Sequence, residues 1–382
     1  MHSAATHRKI KGPLTTSDAW PGFGSTRSAL ALAILSVLLL IAASPAHAQT
    51  LTTLFAFPSA SASGANPYGG LVLDAEGNLY GTAQDGGRGD CDKYEHGCGV
   101  IFELTPAGTE SVLYEFFSGV TAFPMSGLIF DSEGNLYGTT HGQGEDQEYA
   151  GTVFQLKKKH TEKTLYKFRG SKIKPGDGAF PEAGLVRDSQ GNLFGTTYQG
   201  GANGLGTLFE ITSTGEEAML YSFGSRANDG TLPFGGLVMD SQGNLYGTTG
   251  SGGSADQGTI FELTPSRTEK VLYRFAGSPD GSGPTAGLVM DAHGNFYGTT
   301  IGGGNPNNTN CYYHGCGTVF ELSASGIETV LYSFCSNGDC SDGQLPTAGV
   351  VLDSQGNLYG TTEGGGVAEC SLGCGTIFRL TP

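Results

Sequence analysis

The chain has 382 residues, of which 64 are glycine, and its formal net charge is −16. This acidic balance argues against nucleic acid as a partner, because binding to phosphates needs a basic surface. Few residues favour helix, and short β-rich runs alternate with Gly, Asn, Asp and Ser, so we expect an all-β protein.

Residues 1–48 differ in composition from the rest of the chain. A basic start precedes the apolar run Ala29–Ala43, and Ala46-His47-Ala48 follows it with the small-x-small pattern of a signal-peptidase site. The run is shorter than the ~20 residues that usually span a bilayer. We therefore predict an export signal cleaved near Ala48, with an uncleaved N-terminal anchor as the alternative. The mature protein is then extracytoplasmic (secreted, periplasmic or at the cell surface) and has no transmembrane span.

Residues 49–382 contain six copies of one repeat. The decapeptide DSQGNLYGTT occurs at Asp240–Thr249 and again at Asp353–Thr362, and near copies begin at Asp74, Asp131, Asp188 and Asp291. Each repeat holds four strand-like runs, which in the fourth copy are Gly236–Asp240, Asn244–Thr249, Gly258–Leu263 and Glu269–Phe275. Four strands in roughly 50 residues, repeated in tandem, are typical of a β-propeller. We predict a single domain over 49–382, a six-bladed β-propeller of four-stranded blades, with strands a to d in chain order.

The two ends of the repeat region predict how the ring closes. Leu51–Phe57 resembles a lone strand d, and the last copy supplies only strands a, b and c, at Gly349–Asp353, Asn357–Thr362 and Gly375–Leu380. We expect the N-terminal strand to become the outer strand of the last blade, which would leave no free sheet edge.

The DSQGN segment is interpreted as architecture. Its Asp suits the first position of a type I turn, and its Gly suits the left-handed conformation that ends the turn. A calcium site is the alternative, but the segment lacks the several spaced oxygen ligands of a calcium loop.

The tandem units, such as GTIFELTPSRTEKVLYRF followed by GLVMDSQGNLYGTT, resemble the GloVer-type repeats of exported bacterial choice-of-anchor proteins. The resemblance covers about residues 50–382. It implies a surface or secreted repeat protein, and it implies no established reaction.

All eight cysteines fall into close pairs, which indicates disulfides in an exported protein. The predicted pairs are Cys91/Cys98, Cys311/Cys316, Cys335/Cys340 and Cys370/Cys374. The alternative is zinc bound by Cys91, His96 and Cys98, or by Cys311, His314 and Cys316. Each set lacks a fourth ligand nearby in the sequence.

Chain direction sorts the loops onto two faces. The a–b and c–d turns are short and uniform and define the bottom face, whereas the variable b–c and d–a loops define the top face. Binding residues usually lie on variable loops held by a rigid scaffold. The aromatic, amide and imidazole groups of the Cys-bearing loops suit a sugar ring, and the predicted ligand-binding residues are Tyr94, His96, Asn305, Asn308, Tyr312, Tyr313 and His314.

An Asp-Gly pair precedes strand a in four blades, at Asp177, Asp229, Asp280 and Asp342. The first interpretation is a turn that leads into the inner strand. The second is a ring of carboxylates at the top of the central channel that holds a cation, although Ser63 and Val120 occupy the position in two other blades.

These observations favour a non-enzymatic, exported binding or adhesion module for a carbohydrate or cell-envelope polymer. We expect a monomer without a cofactor, and no catalytic residues are predicted, since no nucleophile elbow, P-loop or HExxH motif occurs. The alternatives are a propeller enzyme, such as a lyase or glycan hydrolase, and a purely structural surface component.

Overall fold

The computed structural model describes residues 54–57, 63–89, 91, 97–117, 122–142, 150–305, 311, 315–336, 338–366 and 374–381. The predicted export signal and its cleavage near Ala48 lie outside these residues, and the domain boundary there stays a prediction. Among the helices in this part of the chain, none is both long and apolar enough to span a membrane.

Six antiparallel sheets follow one another along the chain. In five of them the strands are hydrogen-bonded in the order a, b, c, d, and the last has strands a, b and c within the described residues. The a strands are Val72–Leu73, Ile129–Phe130, Val186–Arg187, Val238–Met239, Val289–Met290 and Val351–Leu352. The b strands are Leu79–Ala83, Leu136–Thr140, Leu193–Thr197, Leu245–Thr249, Phe296–Thr300 and Leu358–Thr362. The c strands are Val100–Leu104, Thr152–Leu156, Thr207–Ile211, Thr259–Leu263, Thr318–Leu322 and Thr376–Leu380. The d strands are Glu110–Glu115, Glu162–Lys167, Glu217–Ser222, Glu269–Arg274 and Glu328–Ser333. The fold is therefore an all-β, six-bladed β-propeller, as predicted.

Short accessory elements lie on the top face, at the start of three blades. Two-residue ribbons pair Gly178–Ala179 with Gln199–Gly200, Gly230–Thr231 with Ser251–Gly252, and Gly281–Ser282 with Gly302–Gly303. A single helical turn, Gly170–Ile173, precedes the first of them.

Glycine allows the a strands of successive blades to approach one another. A Cβ on Gly287 would lie 3.3 Å from the carbonyl oxygen of Gly236, and one on Gly349 would lie 2.9 Å from that of Gly287. A side chain at Gly349 would force the neighbouring backbone to shift, and one at Gly287 would crowd it. The a strands therefore form the inner wall of the propeller.

The DSQGN segment forms a turn capped by its own aspartate. Asp240 Oδ1 accepts hydrogen bonds from the backbone N–H groups of Gln242 and Asn244, while Oδ2 accepts from Asn244 Nδ2 and the Tyr246 hydroxyl. Gly243 has φ = +82°, the left-handed conformation that the turn requires. The architectural interpretation of this motif agrees with the structure.

One phenylalanine joins each blade to the next. The residue after strand d is buried and packs edge-on against a phenylalanine of the following c strand, with ring centroids 5.0–5.4 Å apart. The five pairs are Phe116–Phe154, Phe168–Phe209, Phe223–Phe261, Phe275–Phe320 and Phe334–Phe378.

The N-terminal segment makes the same contact with blade 1. The ring of Phe57 lies 5.0 Å from that of Phe102, in the relation that the other five pairs show. Leu51–Thr53 lie outside the described residues, Leu54–Phe57 forms no assigned strand, and the last blade has three strands within the described part. Phe57 thus packs against blade 1 as the phenylalanine after a strand d packs against the next blade, and the pairing of this segment with the last blade stays a prediction.

The sides of the first and last blades that face each other are more exposed than the equivalent sides of the other blades. Ile377 of the last c strand is 70% exposed, whereas its equivalents Ile260 and Val319 are fully buried. Leu71 before the first a strand is 51% exposed, against 6% for Leu288. Within the described residues, the seam between the first and last blades is therefore covered less completely than the five other interfaces.

Candidate functional site on the top face

The residues predicted to bind a ligand are mostly outside the described part of the chain. Asn305 is described and is partly buried, just after the ribbon strand Gly302–Gly303. Tyr94, His96, Asn308, Tyr312, Tyr313 and His314 lie outside the described residues, so their role stays a prediction.

Three of the four predicted disulfides are present, at Cys91–Cys98, Cys311–Cys316 and Cys335–Cys340. Cys370 lies outside the described residues, so its predicted bond to Cys374 stays a prediction. The three bonds are consistent with the extracytoplasmic location inferred from the sequence.

Each of the four Asp-Gly aspartates holds the d–a loop that joins two successive blades, by accepting a hydrogen bond from a tyrosine of the preceding strand d. Asp229 Oδ2 accepts hydrogen bonds from the Tyr221 hydroxyl at 2.8 Å and from the Ser225 backbone N–H at 2.9 Å. Tyr166 and Asp177, Tyr273 and Asp280, and Tyr332 and Asp342 repeat the bond between hydroxyl and carboxylate. This geometry favours the turn interpretation, and the cation interpretation stays a prediction.

At two interfaces, a basic residue links this aspartate to the first glutamate of the next d strand. Lys174 Nζ lies 3.8 Å from Asp177 Oδ1 and 3.4 Å from Glu217 Oε2. Arg226 in the same way contacts both Asp229 and Glu269. A side-chain cation thus neutralises two carboxylates where neighbouring blades meet.

The interface between blades 4 and 5 lacks this cation. The Tyr273 hydroxyl lies 3.0 Å from Asp280 Oδ2 and 3.4 Å from Glu328 Oε2, and the position equivalent to Lys174 is Gly277. Burial and the charge of Asp280 raise the pKa of Glu328 to about 7. This carboxyl group therefore changes its charge near neutral pH.

The top of the inner wall carries side chains that differ from blade to blade. In each blade a proline precedes strand a. The residue before this proline accepts, at its carbonyl oxygen, a hydrogen bond from the backbone N–H of the residue that follows strand b. His141 donates to Phe123 in this way, and Tyr198 donates to Phe180. The positions after strand b are Gln84, His141, Tyr198, Gly250, Ile301 and Glu363. The positions after the proline are Tyr68, Met125, Glu182, Phe234, Thr285 and Thr347. Because these two sets vary while the backbone repeats, they can give the top face a specific site.

His141 and Glu182 form an ion pair across the interface of blades 2 and 3. Imidazole Nε2 lies 3.2 Å from Glu182 Oε1, and Nδ1 lies 3.0 Å from the Gly142 carbonyl oxygen. Burial alone would lower the pKa of His141, but the two acceptors raise it above its ordinary value. Both ring nitrogens face acceptors, which only the imidazolium satisfies together.

Aromatic rings continue from this pair across blades 3 and 4. His141 stacks on Phe180, with centroids 4.6 Å apart and planes at 19°. Phe180 belongs to a buried cluster against which Tyr198 packs, and the ring of Tyr198 lies 4.3 Å from that of Phe234. We call these four residues the aromatic stripe; Phe180 is buried, and the other three are partly exposed.

A cleft of about 440 Å³ opens beside the far end of the aromatic stripe. Tyr198, Phe234 and Ile301 supply apolar walls, and polar groups come from Ser251 and Asp256. Apolar and aromatic walls with a few polar groups are the usual lining of a small-molecule site.

Three other cavities lie on the bottom face, between successive DSQGN turns. Their volumes are about 450, 610 and 560 Å³, and each is lined by two turn aspartates with the residues that follow them. The same repeated motif lines all three of these cavities, so their lining residues are similar. The residues that line the top cleft, in contrast, differ from those at the equivalent positions of other blades.

Sequence reasoning missed the aromatic stripe and the cleft. Several of their residues directly follow the Gly-Thr-Thr that ends strand b, as His141, Tyr198 and Ile301 do, and Phe234 follows the proline before strand a. Comparison of the six copies at these two positions would have shown variable residues between fixed ones.

The fold and the top-face cleft define a tandem-repeat β-propeller with a candidate binding surface. The sequence profile of the Gloeobacter/Verrucomicrobia repeat matches residues 42–240, 92–313 and 225–382, and the chain belongs to this family. This confirms the resemblance inferred from the repeats.

None of the curated proteins compared with the chain matches it. Among solved structures, a gluconolactonase from Xanthomonas campestris is similar, with 14% identity over 80% of this chain and 84% of that one and a TM-score of 0.45. A luciferin-regenerating enzyme has 13% identity over 84% of this chain and 92% of the other, with a TM-score of 0.46.

Proposed function

We propose that this protein is an exported, non-enzymatic binding propeller that holds a carbohydrate or cell-envelope polymer on its top face. The observation that carries the proposal is the aromatic stripe with its adjoining cleft. Tyr198 and Phe234 present partly exposed rings, and Ser251 and Asp256 present hydrogen-bonding groups next to them. Sugars offer C–H faces to aromatic rings and hydroxyls to polar side chains, so the two kinds of group match one ligand class.

The orientation of the stripe also suits an extended ligand. The rings run from His141 in blade 2 to Phe234 in blade 4, with Glu182 beside the first of them. A linear polymer can contact several blades in succession, whereas a compact ligand would fill only the cleft. The Cys-bearing loop with Tyr312 and Tyr313 is a second predicted contact on the same face.

A glycan and envelope-polymer array with the protein from residue 49 onward identifies a ligand, and titration then measures Tyr198→Ala and Phe234→Ala. Each should weaken binding by roughly 1 kcal/mol, about fivefold, which is the scale of an aromatic contact. Tyr68→Ala is the matched control, since Tyr68 occupies the position of Phe234 in blade 1 and is 67% exposed.

Unchanged affinity in both cleft variants, with an intact fold, would contradict the assignment of the site to the aromatic stripe and cleft. If Tyr312→Ala or Tyr313→Ala then lost binding, the site would lie on the Cys-bearing loop instead. Release of shortened or unsaturated sugar products would support the alternative of a glycan hydrolase or lyase.

A further inference from the structure

Two disulfides that are separate in the sequence meet in the structure. Cys311–Cys316 belongs to the b–c loop of blade 5, and Cys335–Cys340 belongs to the loop that leads to blade 6. The four sulfur atoms lie within 4.8 Å of one another, and Cys311 Sγ is 3.8 Å from Cys335 Sγ.

This arrangement provides the additional metal ligands that are missing near Cys311 and Cys316 in the sequence. The sequence offers no fourth ligand near Cys311 and Cys316, and the fold brings the sulfur atoms of Cys335 and Cys340 close to them. Structural zinc sites are tetrahedral and often use four cysteines in pairs of short spacing, and both pairs here have four intervening residues. With a Zn–S distance of ~2.3 Å, the sulfurs of a regular tetrahedron are ~3.8 Å apart.

Backbone hydrogen bonds also hold the four residues together. The Cys316 carbonyl accepts from the Leu345 N–H at 2.9 Å, which joins the two loops. The Cys340 carbonyl accepts from the N–H groups of Gly343 and Gly366, at 3.1 and 3.0 Å. These bonds do not depend on the disulfides, so they can keep the sulfurs close after reduction.

The surroundings suit a buried site. Cys316 and Cys335 are almost fully buried, and Cys311 and Cys340 pack at the edge of the same core cluster. The amide of Gln344 reaches Cys311 Sγ, at 3.4 Å from its Oε1. Rotation of that amide by half a turn would present an N–H donor to a thiolate.

We propose that Cys311, Cys316, Cys335 and Cys340 form a tetrathiolate site for zinc or another thiophilic divalent metal when the two disulfides are reduced. The oxidised protein, with both S–S bonds formed, offers no thiolate and does not bind the metal there.

The redox step is balanced by a dithiol reductant. Each protein disulfide gains two electrons and two protons from one dithiol, whose own sulfurs form a disulfide, so four thiols result from two dithiols. One Zn²⁺ then binds four sulfurs and releases four protons, and metal binding therefore weakens as the pH falls.

The experiment uses the chain from residue 49 onward, reduced with dithiothreitol, freed of reductant without oxygen, and titrated with Co²⁺ and then Zn²⁺. We expect one Co²⁺ per chain, with the visible and sulfur-to-cobalt charge-transfer bands of tetrahedral thiolate coordination, and its displacement by Zn²⁺. The oxidised protein should show none of these bands.

The double variant Cys335→Ser with Cys340→Ser removes two ligands and should weaken metal binding at least ~100-fold, since loss of a hydrogen-bonding partner of a ligand alone costs ~10–100-fold. The matched control is Cys91→Ser with Cys98→Ser, which removes a disulfide in blade 1 and should leave binding unchanged. Loss of binding in the control variant alone would overturn the assignment.

A second readout does not depend on the fold of the variants. In the reduced, unsubstituted chain, Zn²⁺ should protect the four named cysteines from alkylation, as mapped by mass spectrometry, and should leave Cys91 and Cys98 reactive. The proposal would be overturned if the reduced chain bound no stoichiometric Co²⁺. It would also be overturned if the four cysteines stayed reactive toward alkylation in the presence of Zn²⁺, whether or not the chain is folded.

Discussion

Replacement of Glu328 by Gln should stabilise the protein at pH 8. The pKa of this carboxyl is about 7 instead of the ordinary 4.5, because it is partly buried and lies near the charge of Asp280, without a basic partner among the described residues. A carboxyl whose pKa is higher in the folded than in the unfolded state stabilises the fold while it is protonated. This stabilisation is fully present below the unfolded pKa of about 4.5 and is lost as the pH rises through the folded pKa of about 7. Wild-type stability should therefore fall between about pH 4.5 and 8, and Glu328→Gln should remove that fall.

The magnitude follows from the two pKa values. At 1.36 kcal/mol for each pH unit, a change from 4.5 to about 7 corresponds to at most about 3 kcal/mol. Glu328 is only partly buried, so solvent screening reduces this to about 1–2 kcal/mol. For a domain of this size, we expect an increase in Tm of about 1.5–3 °C at pH 8 and almost none at pH 5.

Thermal unfolding followed by circular dichroism at pH 5 and pH 8 measures the effect. The matched control is Glu269→Gln, at the same position of the preceding blade, where the carboxylate pairs with Arg226. That variant should lower the Tm at both pH values, because the ion pair is lost. A Glu328→Gln variant that melts at or below the wild-type temperature at pH 8 would refute the reasoning.

Three further predictions concern packing and the top face. Phe275→Ala should cost about 3–5 kcal/mol of unfolding free energy in urea, since the ring is fully buried between two blades; a cost below about 1 kcal/mol would contradict the proposed role of the inter-blade phenylalanines. Phe57→Ala should destabilise by a smaller amount, because that ring is only partly buried, and an unchanged urea midpoint would show that the N-terminal segment does not support blade 1. Glu182→Gln should lower the pKa of His141 in an NMR titration, because burial then acts without the opposing carboxylate; Glu363→Gln, on another blade, is the control, and an unchanged His141 pKa in Glu182→Gln would contradict the ion pair.

The sequence by itself determined the fold class, the number of blades and the capped turns. Each of these depends on interactions that are local along the chain. The Asp240 side chain caps a turn only a few residues long, Gly243 supplies its left-handed residue, and strand periodicity repeats every 51–62 residues. The disulfide Cys335–Cys340 was predictable for the same reason, since its partners are five positions apart.

Only the tertiary structure decided which loops meet. The packing of one blade against the next places Cys335 beside Cys311 and Phe234 against Tyr198. It also leaves Glu328 without the cation that pairs with Glu217 and Glu269 in the two preceding blades. Residues in such contacts are 24 to 55 positions apart. Their proximity depends on the relative orientation of neighbouring sheets, which side-chain packing between blades fixes and no local pattern of residues encodes.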